Sequence, residues 1–221
     1  MARAARLGGR LRPVRLPLLT PRLLLRLPRL ADVPVLVELL NDRGVFRPLF
    51  TRTRPMQRRD EVEFVAGAIG GAKQGTKLSL AVTLRESGAL IGGIGLEIRD
   101  WENGHGWTGY WIARPYWHRA YGSEAVSEVC DTAFRVLKLH RIDASVFEFN
   151  ARSAALLRRL GFRVEGGARE VARKGGRWVN EKAFGLLARE FRPFVLVPQG
   201  STPRPVRSHG RGPGSRGETN G

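Results

Sequence analysis

Cysteine is nearly absent from this chain of 221 residues: Cys130 is the only one. No internal disulfide can form, and the composition suits a reducing compartment. Cys130 lies in the apolar pattern after Glu124, with no nearby His or Asn motif, and so reads as a small buried hydrophobe rather than a nucleophile. No apolar run approaches the ~20 residues of a membrane-spanning helix, and no internal repeat is visible. Lysine is scarce as well, with five among the 38 basic residues. Arginine therefore carries most of the positive charge, as GC-rich coding also produces.

Acidic residues number 20, giving a formal net charge of +18. Residues 1–14 supply +4 and residues 196–221 supply +3, which leaves +11 between them. A basic surface attracts polyanions in general: a phosphorylated cofactor, ribosomal RNA near a protein substrate, or an acidic peptide. Charge alone does not select a nucleic acid, and direct nucleic-acid binding is not required by anything else in the chain.

At 42% hydrophobic content the chain can bury one sizeable core, and its length argues for one domain. Residues 1–15 read as a flexible basic extension, in which Gly8, Gly9 and Pro13 interrupt any helix and the serine of an organelle presequence is missing. Residues 196–221, rich in Pro, Gly, Ser and Arg, read as a disordered tail. The domain between them spans 16–195.

Periodicity predicts a strand at 22–27 and a helix at 31–40 with Asp32 as its cap. A second helix is expected at 60–69, then a hairpin of strands 77–84 and 90–98 around Glu86-Ser87-Gly88. Gly92, Gly93 and Gly95 in its second strand suggest a bulge or a close backbone approach. A strand at 106–112, a helix at 123–136, a strand at 141–147 and a helix at 151–160 closed by Gly161 follow. A final hairpin, 162–172 and 178–187, turns at Lys174-Gly175-Gly176-Arg177. The order is mixed α/β.

The most informative stretch is GYWIARPYWHRAYGSEA (109–125), which reads as strand, glycine-bearing turn and helix start. The N–H groups of a helix's first turn lack intrahelical partners and carry the positive end of its dipole, so the turn can cradle a phosphate.

These words resemble the GNAT superfamily of acyl-CoA N-acyltransferases, whose R/Q-x-x-G-x-G/A turn corresponds here to Trp117-His118-Arg119-Ala120-Tyr121-Gly122. The resemblance is closest to the branch that acetylates N-terminal amines of ribosomal proteins. GYW (109–111), YWHRAYGSEA (116–125), LKLHRIDA (137–144), Asn150 with Ser153, and LGFRVEG (160–166) all match in register. The segment LLTPRLLLRLPRLADVPVLVELLND (18–42) is similar to that branch's first strand and helix, so the resemblance covers about 16–192.

The resemblance implies a GNAT fold, a single mixed and splayed β-sheet flanked by helices, and a bacterial, cytoplasmic N-acetyltransferase. Acetyl-CoA is the implied co-substrate, passing its acetyl group directly to a primary amine in a ternary complex. The implied acceptor is a protein N-terminal α-amine, a ribosomal protein's among the choices, and the chain would act as monomer or homodimer. Cofactor contacts fall on Ile112, Ala113, Trp117, His118, Arg119, Ala120, Tyr121, Gly122, Ser123, Glu124 and Asn150; Ile112 to Arg114 would expose backbone groups to the pantetheine arm, opposite a partner strand ending at 147–150. Ser153 and Asn150 are the implied catalytic pair, with the Ser153 hydroxyl near the cofactor sulfur. Read from the residues alone, Ser153 is equally a first-turn helix residue with Asn150 as the cap. No metal is expected.

Four positions depart from the family wording. Trp117 replaces Arg or Gln, His118 and Ala120 replace glycines, and Ala120 matters if its φ must be positive. Trp107 stands where relatives often carry a glutamate. A base could then come from Glu97, Asp100, Glu102, His105 or water, since an α-amine titrates near ~8 and is partly neutral already. Leu157 occupies the place where many relatives have a tyrosine, which excludes a tyrosine acid there. Of the four tryptophans near the expected acceptor cleft, Trp111 and Trp117 read as core, while Trp101 and Trp107 stay open. The alternative function is a non-catalytic acyl-CoA-binding or ribosome- or RNA-interacting GNAT-like module.

Overall fold

The computed structural model describes residues 7–49 and 55–196. In chain order the elements are β1 (Leu18–Leu19), β2 (Leu23–Arg26), α1 (Val33–Leu40), α2 (Arg43–Phe46), α3 (Arg58–Gln74), β3 (Lys77–Leu84), β4 (Leu90–Asp100), β5 (His105–Ile112), α4 (Tyr121–Asp131), β6 (Arg141–Phe147), α5 (Ala151–Arg159), β7 (Arg163–Lys174) and β8 (Arg177–Leu187). A π-type turn over Thr132–Val136 prolongs α4.

The strands form one sheet in the order β1-β2-β3-β4-β5-β6-β8-β7. Every neighbouring pair is antiparallel except β5 with β6. Successive strand residues point to opposite faces, and the two faces bury separate clusters. Leu78, Leu80 and Val82 join a larger core with Val126, Val129 and Ala133 of the α4 region and Leu157 of α5. Ala81 faces the smaller core, made by Val33, Leu36 and Leu40 of α1 and Val65 of α3. Cys130 is fully buried in the larger cluster, where burial raises its thiol pKa.

Three sequence expectations need correction. The extension expected to be flexible is packed over residues 7–14, where Leu7, Leu11 and Val14 enter the larger core. The Gly8 N–H donates to the Ala72 carbonyl at 3.0 Å, and a Cβ on Gly8 would collide with the Lys73 carbonyl, so only glycine lets the chain lie this close to α3. Residues 1–6 and 197–221, the remainder of the two expected tails, lie outside the described residues. The second helix runs longer than expected, from Arg58 to Gln74, and stops at Gly75 with φ 79°. Asp32 holds the N-cap position of α1 but its side chain does not cap the helix: its carboxylate takes the Arg26 guanidinium at 2.7 and 2.8 Å and the Arg29 N–H at 2.7 Å.

Candidate active site in the divided sheet

Strand β5 follows β6 only over His105–Trp107, opposite Arg141–Asp143. Beyond that point β5 keeps its ladder with β4 and β6 keeps its ladder with β8, so the sheet opens between Thr108–Ile112 and Ala144–Phe147. The Ala113 N–H donates to the Ile91 carbonyl at 2.8 Å. Antiparallel alternation then turns the backbone groups of Tyr110 and Ile112 toward the opening. The Ile112 carbonyl is already taken, by the Trp117 indole N–H at 2.6 Å. Ala113 differs from the expectation: it is buried, bonds β4 and lines neither cavity described below.

Residues 117–120 form the turn that leads into α4. His118 at φ 62° and Ala120 at φ 60° both hold the left-handed conformation that glycine adopts without cost. Ala120 is the N-cap of α4 and offers no side-chain cap to its N–H groups. Trp117, His118, Ala120, Tyr121, Gly122 and Ser123 line one groove. Arg119 is exposed and outside it. Glu124 also departs from the cofactor assignment: its N–H bonds the Ala120 carbonyl, and its buried carboxylate accepts the Thr20 hydroxyl at 2.6 Å and the Arg22 N–H at 2.9 Å. It pins α4 to the β1–β2 turn instead of facing the groove.

At the other end of the groove α5 begins. Asn150 caps it, its Oδ1 accepting the Ser153 N–H at 3.2 Å. The Ser153 hydroxyl lies 2.8 Å from the hydroxyl of Tyr110, either oxygen being able to donate. Leu157 is buried in the core, so the hydroxyl beside Ser153 comes from β5, not from α5. Tyr110 is the functional candidate that sequence reasoning passed over. Its signal lay inside GYW, but the pairing crosses 43 residues of chain and follows only from the opening of the sheet.

Two cavities meet here. One, of about 750 Å³, runs from the cradle to Ser153 and is lined by Arg43, Arg47, Arg152, Arg159 and His118, with no acidic side chain among the described residues. Among the described residues none of these four guanidiniums is paired with a carboxylate. Arg152 lies over the Trp117 ring at 3.9 Å and Arg47 over the Phe149 ring at 4.7 Å. The other, of about 290 Å³, lies over Ser79, Gly95 and Gly109, which face one another across β3, β4 and β5. A Cβ at Gly109 would meet the Trp107 ring at 2.6 Å, so glycine there is what lets that indole lie flat across the strand. Among the described residues this cavity is lined by Glu61, Glu97 and Lys77. Pro48, Leu49, Tyr110, Trp111, Asn150 and Ser153 line both.

Of the suggested bases, Glu97 alone reaches the smaller cavity. The Asp100 carboxylate holds the Glu102 and Asn103 N–H groups of its own turn, with Glu102 lining neither cavity. His105 bonds Asp143 at 2.7 Å where β5 and β6 are still paired. Trp111 and Trp117 pack on the smaller core as expected and also line the cavities. Of the tryptophans left open, Trp101 packs against the larger core under Arg10, and Trp107 lines the smaller cavity.

A strongly basic groove ending in uncharged hydroxyls, joined to a second cavity that Glu97 lines, fits a polyphosphate carrier on one side and an amine on the other. The family model described as an acetyltransferase (GNAT) domain matches residues 22–163, and the chain belongs to that family. The N-acetyltransferase p20 of Bacillus licheniformis is 32% identical over 176 residues, 79% of this chain and 97% of p20. Among solved structures, the ribosomal L7/L12 alpha-N-protein acetyltransferase RimL in complex with coenzyme A aligns with TM-score 0.69 at 18% identity, over 76% of this chain and 95% of RimL. Spermidine N-acetyltransferase from Vibrio cholerae, in complex with CoA and spermine, aligns with TM-score 0.68 at 22% identity, over 77% of this chain and 98% of that one. The chain is thus an N-acetyltransferase with acetyl-CoA as co-substrate and an amine as acceptor. Among the described residues no helix is long and apolar enough to cross a membrane.

Proposed function

We propose that this enzyme acetylates the N-terminal α-amine of a protein, a ribosomal protein being the leading choice, in a cytoplasmic setting. The observation that carries this reading is the chemistry of the junction between the cavities, whose polar side-chain groups among the described residues are the Tyr110 and Ser153 hydroxyls, the Asn150 amide and the Trp111 indole N–H. Burial pushes the Tyr110 hydroxyl up to about 12, against the pull of its bond to Ser153, so it does not serve as a base near neutrality. The acceptor must then arrive neutral largely by its own equilibrium. An α-amine titrating near ~8 does so, whereas a side-chain or polyamine nitrogen near ~10.4 is neutral more than a hundredfold less often.

In this reading Trp117, Ala120, Tyr121, Gly122 and Ser123 hold the pyrophosphate against the first turn of α4, with Arg43, Arg47, Arg152 and Arg159 screening the remaining phosphate charge. Acetyl-CoA supplies the acetyl group as a thioester. The amine nitrogen bonds to the acyl carbon as the carbon–sulfur bond breaks; the amine gives up one proton and the sulfur ends with one. Ser153 donates a hydrogen bond to the negative charge developing on sulfur, and Asn150 holds α5 so that the hydroxyl faces the junction. Glu97, an exposed residue that lines the smaller cavity, takes the proton shed by the amine or passes it to water.

Release of CoA thiol would be followed with a peptide bearing a free N-terminus, the same peptide blocked at its N-terminus but containing lysine, and spermidine. Turnover of the free peptide at least tenfold above the other two is expected. Faster turnover of spermidine or of the blocked peptide would overturn the α-amine assignment.

A further inference from the structure

A serine hydroxyl has one proton and two acceptor sites, and left alone it rotates toward whichever acceptor is strongest. At the junction Ser153 is not left alone. Its backbone N–H is tied to Asn150, and its oxygen lies 2.8 Å from the Tyr110 oxygen. The Tyr110 ring packs against the larger core and lines both cavities. A phenol is a better donor than an alkyl hydroxyl, so the favoured arrangement has Tyr110 donating to Ser153.

We propose that Tyr110 is a positioning residue for acyl transfer: by filling one acceptor site of the Ser153 oxygen it points the Ser153 proton into the junction, toward the departing sulfur. This inference rests on the role given to Ser153 above. Tyr110 holds its proton and does not pass it on, which the raised pKa of its hydroxyl supports. Donation to Ser153 also polarises that hydroxyl and makes it a stronger donor in turn. The backbone of Tyr110 faces the opening between β5 and β6, so the same residue sits at the lip of the divided sheet and orients the serine across it.

Tyr110→Phe keeps the ring and removes only the donor, and full-length protein would be used throughout. The expected result is a fall in kcat of roughly 10- to 100-fold with KM for acetyl-CoA within about twofold. A second readout does not depend on turnover: the thiolate absorbance of bound CoA near 240 nm, titrated with pH. Losing an oriented donor should raise the apparent pKa of the bound thiol by about one unit, with CoA affinity measured by calorimetry near neutrality unchanged. In a Ser153→Ala background the Tyr110→Phe change should do nothing to either readout. Wild-type kcat and an unshifted thiol titration in Tyr110→Phe would overturn the inference, as would an equal loss in the Ser153→Ala background. Should Ser153→Ala itself leave turnover unchanged, the underlying role of Ser153 fails; a defective Ser153→Ala beside a normal Tyr110→Phe sinks this inference alone.

Discussion

Glu124 grips Arg22 at both of its oxygens: Oε1 accepts the Arg22 backbone N–H at 2.9 Å and Oε2 the guanidinium Nε at 2.7 Å. The pair joins the first turn of α4 to the approach to β2 across 102 residues. Arg22 also stacks on the Tyr121 ring, 4.5 Å from its centroid. A residue that by resemblance belonged to the cofactor is therefore part of the frame that holds the cradle in place.

Glu124→Gln should accordingly lower stability by about 2 kcal/mol, the usual cost of weakening a buried, hydrogen-bonded charge pair. CoA affinity should stay within about threefold, because the groove itself loses nothing. Urea midpoints and calorimetry on the same preparation test both halves; a collapse of CoA binding with unaltered stability would return Glu124 to the cofactor.

Ala120→Gly should stabilise the protein. An L-residue held left-handed costs about 1–2 kcal/mol, and glycine recovers this minus the ~0.4–1 kcal/mol it loses to a more flexible unfolded chain. A net gain of roughly 0.5–1 kcal/mol is expected in chemical denaturation, with CoA binding equal or tighter. A loss of stability would show that the turn has relaxed around alanine.

Arg152→Ala removes a guanidinium from the groove and uncovers the Trp117 indole. CoA binding should weaken about 5- to 10-fold, close to 1–1.4 kcal/mol, and the salt dependence of that affinity should become shallower. Trp117 fluorescence should also lose part of its response to CoA. Unchanged affinity at low ionic strength would place the phosphates elsewhere.

Asp32 gives the fold an acid-sensitive anchor. Burial alone would raise its carboxyl pKa, but bonds from Arg26 and the Arg29 N–H prevail and hold it below the ordinary 3.8. A carboxyl depressed in the folded state stabilises above its unfolded pKa, and that contribution is lost as pH falls through the folded value. Asp32→Asn should therefore be less stable than wild type at pH 7, with the gap narrowing once pH drops below about 4. Denaturation midpoints at pH 7, 5 and 3.5 would follow it; a gap independent of pH would mean the pair does not set acid stability.

Cys130 is fully buried with its thiol pKa raised by desolvation, so a thiol reagent such as DTNB should label it only on unfolding. Labelling of native protein at the rate of a free thiol would contradict its place in the core.

Much of the fold was legible in the sequence. Regular apolar spacing marked α1, α5 and the hairpins, and Gly161 marked the end of α5. What stayed hidden shares one cause. Leu7, Leu11 and Val14 lie in a stretch whose composition reads as a tail, yet a glycine at position 8 lets the chain approach the end of α3, where three apolar side chains find burial. Tyr110 carries no local mark distinguishing it from a core aromatic, and Glu124 none distinguishing a cradle residue from a clamp. Both placements come from partners remote in the chain.

The sequence by itself determined the mixed α/β class and the strand, turn and helix start that lie within 17 consecutive residues, 109–125, because these rest on local spacing, and its motifs carried the resemblance to the family. Only the tertiary structure decided which side chains share the site. The separation of β5 from β6 after Trp107 sets Tyr110 against Ser153 and brings a basic groove and a second cavity together at that pair. Such proximity is made by strand pairing and by its interruption, for which no single segment holds the information.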